Sequence, residues 1–576
     1  LDGLPLAIEL AAARVRIFSL AELQDRLDEQ IDILGGGPRD QPEHQRTMRA
    51  TIAWSYALLT PAEKDALRVL AWFDTPFSQD AGLALLRDAG RGDDAEVSAL
   101  IASLVDHHLL RVLPTPDGAR YLMFLTIRVF GRELSRGLGE ESRRRDAHAA
   151  WIASYAIASL ALRPDGTIAS KNLVALDQSY PDIERALLWY EQQGRHDALL
   201  GLVIALSPYW THRFGRAEGR RWVERALALA PSSASEAMLA RAELELAALC
   251  RTSRTGDPID AIQIARQSLE RFQRLHDPLG ILAALNTIGV LHRAQGALDE
   301  AKTAFEAALA QTADLDVPWW QSLVLCNLGA TALWRGETRD ARHRLEEALR
   351  GFRDLSDRRG IAFTLHVLAL VRCAQGDART AAALTIEGLD EARTVEALET
   401  SIDLIAAAGV VAAAGGEFAP AIRLLEGAHT LSERAMYRIE RPEREVYDDW
   451  ERIARRAMGP LQAEHPPDVD AMVTLDDLVQ VARTELRRVA TGAPSPQATA
   501  TSSGVEAAGH ELTVREHQVL ALMAQRYTDR EIAETLQISV RTVSRHVSNI
   551  FAKLGLRSRR DVLGRASINP DGPDEP

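Results

Sequence analysis

What this chain has little of narrows the reading first. Its 576 residues include three cysteines, Cys250, Cys326 and Cys373, set far apart. That spacing excludes a disulfide framework and a Cys-x-x-Cys metal motif, and it points to a reducing, cytoplasmic setting. Aromatic residues make up 5%, too few for a chain built mainly of sheets, which favour aromatic and β-branched residues. Lysine is scarcer still: Lys64, Lys171, Lys302 and Lys553 are the whole set, and none follows a glycine. A P-loop needs Gly-Lys, because loop amides and lysine cradle the nucleotide phosphates together, so none is expected. No basic-then-apolar start reads as a signal peptide, and the longest weakly polar run, Leu404 to Gly416, is too short for a bilayer. Ser, His and Asp occur singly on helical patterns, so no catalytic site, no metal site and no enzyme activity are expected.

Hydrophobic residues account for 46% of the chain and charged residues for 26%, an ordinary globular balance. Long runs of Ala, Leu, Glu and Arg predict a mainly α protein, and at about 150 residues per domain the length implies roughly four domains. The formal net charge of −14 looks hostile to nucleic acid, but it is unevenly spread: His510 to Ala566 carries a net +4 and the remainder −18. The last segment is electrically its own domain, and local charge decides partners.

The middle of the chain repeats with a period of 40. Gly256, Gly296, Gly336, Gly376 and Gly416 are followed five residues later by Ala261, Ala301, Ala341, Ala381 and Ala421. Further small-residue columns run Gly289, Gly329, Ala369, Gly409 and Ser268, Ala308, Ala348, Gly388, Ala428. A fixed period of this size means stacked helix pairs. One unit reads as helix Ile281 to Ala294, a turn at Gln295-Gly296 and helix Leu298 to Thr312, with Ala301, Phe305 and Ala308 sharing one buried face. The pattern Gly289, Ala301, Phe305, Ala308 resembles tetratricopeptide repeats. The period exceeds theirs, so extra length is expected in the second helix or the following loop. A looser unit at Gly215 and Ala226 precedes the series, and a worn one at Pro442 to Gly459 follows it. Solenoids of this kind present a long concave face for a protein, peptide or small-molecule inducer. Trp319, Trp320 and Trp334 are placed either on that groove or in the core, and the cysteines read as buried small hydrophobes.

After a Pro, Ser, Thr, Ala and Gly-rich linker at Thr491 to Gly509, helix starts follow in close order. Thr513-Val-Arg-Glu516 and Thr528-Asp-Arg-Glu531 are capping boxes, Ser539 precedes a third helix and Ser558-Arg-Arg-Asp561 opens a fourth. Asp529 to Leu536, the turn Gln537-Ile538 and a helix from Val540 have the spacing of a helix-turn-helix. On the last of these, Val543, Val547, Ile550 and Leu554 form an apolar stripe, and Arg541, Ser544, Arg545 and Ser548 lie opposite, a face suited to a major groove. The segment Glu511 to Ala566 resembles the LuxR-type, or NarL-like, DNA-binding domain through Leu512-Thr513, Arg515-Glu516, Val519-Leu520, Glu531-Ile532-Ala533, Leu536, Ser539, Thr542-Val543, His546-Val547, Ile550, Lys553-Leu554 and Ser558-Arg559. The resemblance implies base reading by Ser544, Arg545 and Ser548 and phosphate contacts from Arg530, Arg541, Thr542, Lys553 and Arg559. It also implies double-stranded DNA half-sites as partner and binding as a homodimer or signal-dependent oligomer. Arg526 and Asp529 depart from the family's usual glycine and asparagine.

At the other end, Leu1-Asp-Gly-Leu-Pro-Leu-Ala7, Arg46-Thr-Met-Arg49, Trp54-Ser-Tyr56 and Leu58-Leu-Thr-Pro-Ala-Glu63 resemble the distal part of the NB-ARC, or STAND, ATPase module. Residues 61–140 resemble its winged-helix subdomain, with Leu104 to Leu110 as a helix feeding a hairpin around Asp117-Gly118. Met123-Phe124-Leu125 stands where relatives carry Met-His-Asp. In a complete module Gly3 and Pro5 would lie near the adenine of ATP or ADP. They could serve so only with an upstream segment that the chain, beginning at Leu1, is expected to have lost.

The organisation expected is therefore a module remnant over 1–60, a winged helix over 61–140, a solenoid over 146–465, a helix and linker over 466–510, a four-helix DNA-binding domain over 511–566 and a disordered tail over 567–576. It describes a cytoplasmic transcription regulator without a membrane partner. Two rivals remain: an interaction scaffold with a vestigial DNA-binding head, and a truncated ATP-dependent switch.

Overall fold

The computed structural model describes residues 48–492, except 91, 116–117, 161–169, 213–215, 232, 251–260, 436, 438 and 459–473. Outside that span it describes Ala12, Val519, Met523, residues 528–535, Val543 and Val547. Gly3 and Pro5, the linker, the tail and most of the C-terminal domain lie outside the described residues.

The first unit begins with α1 (Met48–Ala57) and α2 (Pro61–Leu70). Thr60 starts α2 with a full capping box, its hydroxyl taking the Glu63 amide while the Glu63 carboxylate takes the Thr60 amide, and Pro61 sits where no amide hydrogen is needed. Then come β1 (Phe77–Ser78), α3 (Gln79–Asp88), α4 (Asp94–Asp106), β2 (Arg111–Thr115), β3 (Gly118–Leu122) and α5 (Leu125–Gly137). The strands pair antiparallel in the order β1-β3-β2, with Tyr121 opposite both Phe77 and Val112. Helix, strand, two helices and a hairpin is the order of a winged helix. The helix expected to run to Leu110 stops at Asp106, because His108 turns left-handed at φ 58°. The amides of Leu109 and Leu110 then fold back on the Leu104 carbonyl, burying both leucines ahead of the hairpin.

Charge locks this unit to the helices that follow, α6 (Glu141–Ser159) and α7 (Ser170–Gln192). Asp74 pairs with Arg132 at 2.8 Å, with Arg185 of α7 and more distantly with Arg128. Asp182 of α7 accepts the amides of Asp74 and Thr75 and lies 3.1 Å from His148 Nε2 of α6. A second cluster joins Asp65 to Arg144 at 2.6 Å and Arg68 to Glu140 at 3.0 Å.

The array continues through α8 (His196–His212), α9 (Arg216–Leu229), α10 (Glu236–Leu249), α11 (Ala261–Arg274), α12 (Pro278–Ala294) and α13 (Leu298–Thr312). It goes on through α14 (Pro318–Trp334), α15 (Thr338–Asp354), α16 (Arg358–Ala374), α17 (Ala378–Thr394), α18 (Leu398–Ala414) and α19 (Phe418–Arg434). From α14 to α19 every helix has 17 residues and every link three, which is the period of 40. The extra length is thus shared by both helices of a pair instead of sitting in the second helix or its loop.

Two kinds of turn alternate. After each first helix of a pair a glycine is left-handed, Gly296, Gly336, Gly376 and Gly416 at φ 78–87°, and the next amide reaches back five residues, as from Glu337 to Ala332. After the second helix the left-handed place is taken by His276, Ser356 and Glu396, which no glycine signals in the sequence. The small-residue column is steric: a Cβ on Gly289 or Gly329 would lie 2.6 Å from Phe305 or Leu345. Cys326 and Cys373 are buried within α14 and α16, while Cys250 is half-buried at the end of α10.

α20 (Arg441–Met458) and α21 (Leu475–Thr491) complete the described array. The worn final unit is therefore one long helix over its described part. α21 packs on α17, α18 and α19; Gly415 and Gly427 leave room for Val489 and Leu478, 2.8 and 2.6 Å from where a Cβ would stand. The fold is mainly α, a winged helix leading into an α-solenoid.

Candidate functional site

In the C-terminal head the described residues outline a helix start and its core. Thr528 caps α22 (Asp529–Thr535): its amide donates to Glu531 Oε2 at 2.7 Å and its hydroxyl accepts the Glu531 amide at 3.3 Å. The Thr528 amide and hydroxyl, both donating to Glu531 Oε2, hold the Glu531 carboxyl below its usual range. Ile532, Ala533, Val519, Met523 and Val543 are buried and Val547 is half-buried, so the apolar stripe expected on the reading helix points inward where it is described. Arg530 is exposed on α22. Arg541, Thr542, Ser544, Arg545, Ser548, Lys553 and Arg559 lie outside the described residues.

The second site was not legible in advance. The first helices of successive pairs line the inner face of the solenoid, and the stretch after α19 returns across that face instead of leaving it open. There Tyr437 donates to Asp403 Oδ2 of α18 at 2.8 Å, and Glu440 takes Arg293 of α12 at 3.0 Å. Tyr447 of α20 meets His366 Nε2 of α16 at 2.8 Å. Burial keeps His366 neutral, its pKa down at about 3, so this is a bond between uncharged groups. Farther along the rim Arg216 of α9 pairs with Glu399 of α18 at 2.9 Å, bringing together groups 183 residues apart.

Between these contacts a cavity of about 250 Å³ remains, lined by residues of α12, α14, α15, α16, α18 and the returning stretch. Trp319, Leu323, Phe352 and Phe363 give it apolar walls. Trp319 is thus on the groove, while Trp320 and Trp334 pack against the core. Five acids, Asp357, Glu399, Asp403, Glu440 and Glu443, face two arginines, Arg293 and Arg359.

Much of this charge is answered. Arg293 spans Glu440 and Asn327 Oδ1, and Asp357 accepts the Trp319 indole at 2.7 Å and the Gly360 amide at 3.0 Å. Asp403 is different: its second oxygen, Oδ1, is buried and has no hydrogen-bond partner. Burial, then Glu443, Glu399 and Glu440, push its carboxyl well above the usual range, with the Tyr437 hydroxyl opposing them. One sequence signal could have flagged it, since Asp403 is a lone carboxylate in a run, Ile402–Ala413, that is otherwise apolar or small.

Compared with known proteins, residues 510–566 match the bacterial regulatory proteins of the luxR family, and residues 238–313 match the tetratricopeptide repeat. A protein of Mycobacterium tuberculosis named as a candidate HTH-type transcriptional regulator is 31% identical over 439 residues, covering 73% of this chain and 48% of that protein. The transcriptional regulatory protein LiaR of Bacillus subtilis is 45% identical over 68 residues, 12% of this chain and 32% of LiaR. Among solved structures, a signal transduction ATPase with numerous domains and a tetratricopeptide repeat sensor, from Pyrococcus horikoshii, aligns with 84% of this chain and 75% of its own at 14% identity and a TM-score of 0.42. The chain spans about half the length of the full-length regulators it matches.

Proposed function

We propose that this chain, which ends in a luxR-family helix-turn-helix domain and holds tetratricopeptide repeats in its middle, is a sequence-specific DNA-binding transcription regulator. The observation that carries this reading is the match over residues 510–566, joined to a homology with regulators that runs through most of the chain. In this reading Ser544, Arg545 and Ser548 meet base edges in the major groove, where an arginine fork pairs with guanine and serines allow close approach. Arg530, Arg541, Thr542, Lys553 and Arg559 meet phosphates, which fix register without reading sequence. The local charge of +4 over His510 to Ala566 supplies the attraction that the acidic remainder does not.

The array is the input side. A ligand or partner on its inner face changes how copies of the chain associate, and two reading domains held together select paired half-sites more tightly than one. ATP or ADP enters only in a longer protein in which Gly3 and Pro5 complete a nucleotide pocket. No catalytic step is assigned to this chain.

The test is selection of bound fragments from a genomic DNA pool by the whole chain at two salt concentrations. Enrichment of a paired half-site is expected. Arg545→Ala should lower the preference for that site by roughly 1–3 kcal/mol. Lys553→Ala should weaken all sequences alike and flatten the salt dependence by about one unit of slope. Selection of no sequence by the whole chain would hand the molecule to the scaffold reading.

A further inference from the structure

We propose that the cavity on the inner face of the solenoid is a binding site for a small organic cation, a primary ammonium or guanidinium on a short apolar body, with Asp403 Oδ1 as the oxygen that receives it. The inference rests on the array being the input side of the regulator, and it gives that input a chemistry. Asp403 is 4% exposed, lines the cavity and leaves Oδ1 without a hydrogen-bond partner. In its ionised form that carboxylate only accepts, so what completes it in that form must donate. Leaving such a group unmet in the interior is unfavourable, and a bound donor removes that penalty.

Three of the donors at the wall are committed elsewhere. Tyr437 gives its hydroxyl to Asp403 Oδ2, Arg293 is held by Glu440 and Asn327, and the Trp319 indole is given to Asp357. Five acids against two arginines leave the lining with a formal excess of negative charge, and it remains negative when Arg216 is counted against Glu399. Anions are therefore repelled, and a cation is preferred to a neutral donor of the same shape. The remaining wall is aromatic and aliphatic, Trp319, Leu323, Phe352 and Phe363. Aromatic faces attract an ammonium or guanidinium as well as an apolar body. At about 250 Å³ the space lies just below the roughly 300–1,000 Å³ of pockets that take drug-sized ligands, so the occupant is small. The raised proton affinity of Asp403 agrees with this: the site holds more negative charge than its surroundings answer, and a ligand cation would reverse the shift.

The experiment is calorimetric titration of the whole chain, without DNA, by three probes of one shape: 2-phenylethylammonium, 2-phenylethanol and phenylacetate. Saturable binding of the ammonium is expected, with the alcohol and the carboxylate at least tenfold weaker. Asp403→Asn keeps the shape of the side chain and an acceptor for Tyr437, and it should weaken the ammonium tenfold or more while leaving the far-ultraviolet circular dichroism unchanged. Should that variant fail to fold, Thr400→Met, which fills the cavity without altering charge, should abolish ammonium binding instead. Equal binding of alcohol and ammonium overturns the proposal. So does unchanged affinity in a folded Asp403→Asn, or in Thr400→Met where that variant is the one read, and so does no binding of any probe up to about 10 mM, well above the roughly millimolar Kd of a weak fragment. Because the titration contains no DNA, its failure leaves the DNA-binding reading standing. Failure of the chain to select DNA while it binds the ammonium would do the opposite.

Discussion

Asp74, at the junction between the winged-helix unit and the array, and Asp403, on the inner face of the array, are both largely withdrawn from water, yet their surroundings treat them oppositely. Against the burial that would raise it, Arg132, Arg185 and Arg128 hold the Asp74 carboxyl down at about 2. Arg132 meets the same burial, which brings its guanidinium down to about 10 while Asp74 works to hold it up. Asp403 has one hydroxyl and several acids around it, and its carboxyl goes up. A buried carboxylate ringed by its own arginines is a fastening, complete without anything else. One that keeps an oxygen unanswered at the wall of a cavity is a place for something to arrive.

Removing each acid separates the two roles, and the largest effect should come at the junction. Asp74→Ala strands Arg132 in the interior, and losing one partner of a buried ion pair costs about 3–5 kcal/mol. The measurement is the urea midpoint of the transition that exposes Trp72 and Trp151, which lie against Arg132 and Phe73 respectively. The same acid sets a pH window: because its folded pKa is depressed, its contribution is present above its ordinary value of 3.8 and is lost as pH falls through about 2.

An exposed carboxylate in a helix cap gives the intermediate case. Thr528→Ala removes the hydroxyl that takes the Glu531 amide, and about 1 kcal/mol of local stability should go with it, read as faster amide exchange in α22. Asp403→Asn should act in the opposite direction, raising stability near pH 7, because it removes a carboxyl whose charge the interior does not answer. Its pH signature has the opposite sign to that of Asp74. A carboxyl whose folded pKa is raised makes the folded state less stable as pH climbs above 3.8, and the asparagine variant should lose that slope. Parallel stability profiles for the two chains between pH 4 and 7 would end the contrast.

The array was legible because its physics is periodic. Left-handed glycines at Gly296, Gly336, Gly376 and Gly416 and the close contacts at Gly289 and Gly329 each leave one small residue every 40, and a self-comparison of the sequence finds them. The exception fits the same pattern: where Ala369 replaces glycine in that column, the residue sixteen places on is Thr385, smaller than Phe305 or Leu345. The alternate turns stayed hidden because His276, Ser356 and Glu396 adopt the glycine conformation without being glycine. The cavity stayed hidden for a different reason. Arg293, Trp319, Asp357, Asp403 and Glu440 come from three helices, the link between α15 and α16 and a returning stretch, and no spacing in the chain relates them until the solenoid has curled. In the head, the capping box at Thr528 and the inward Val543 were both written in the sequence.

The pair between Arg216 and Glu399 reaches beyond electrostatics. A stack of repeats in which each unit touches only its neighbours comes apart piecemeal, fraying from its ends, because opening one unit costs the others little. A clasp that joins residues 183 apart, helped by Arg293 with Glu440 across 147, ties distant units of that stack to each other. The price of opening any unit inside the loop then includes the clasp, and the linear chain of springs becomes a hoop that yields all at once.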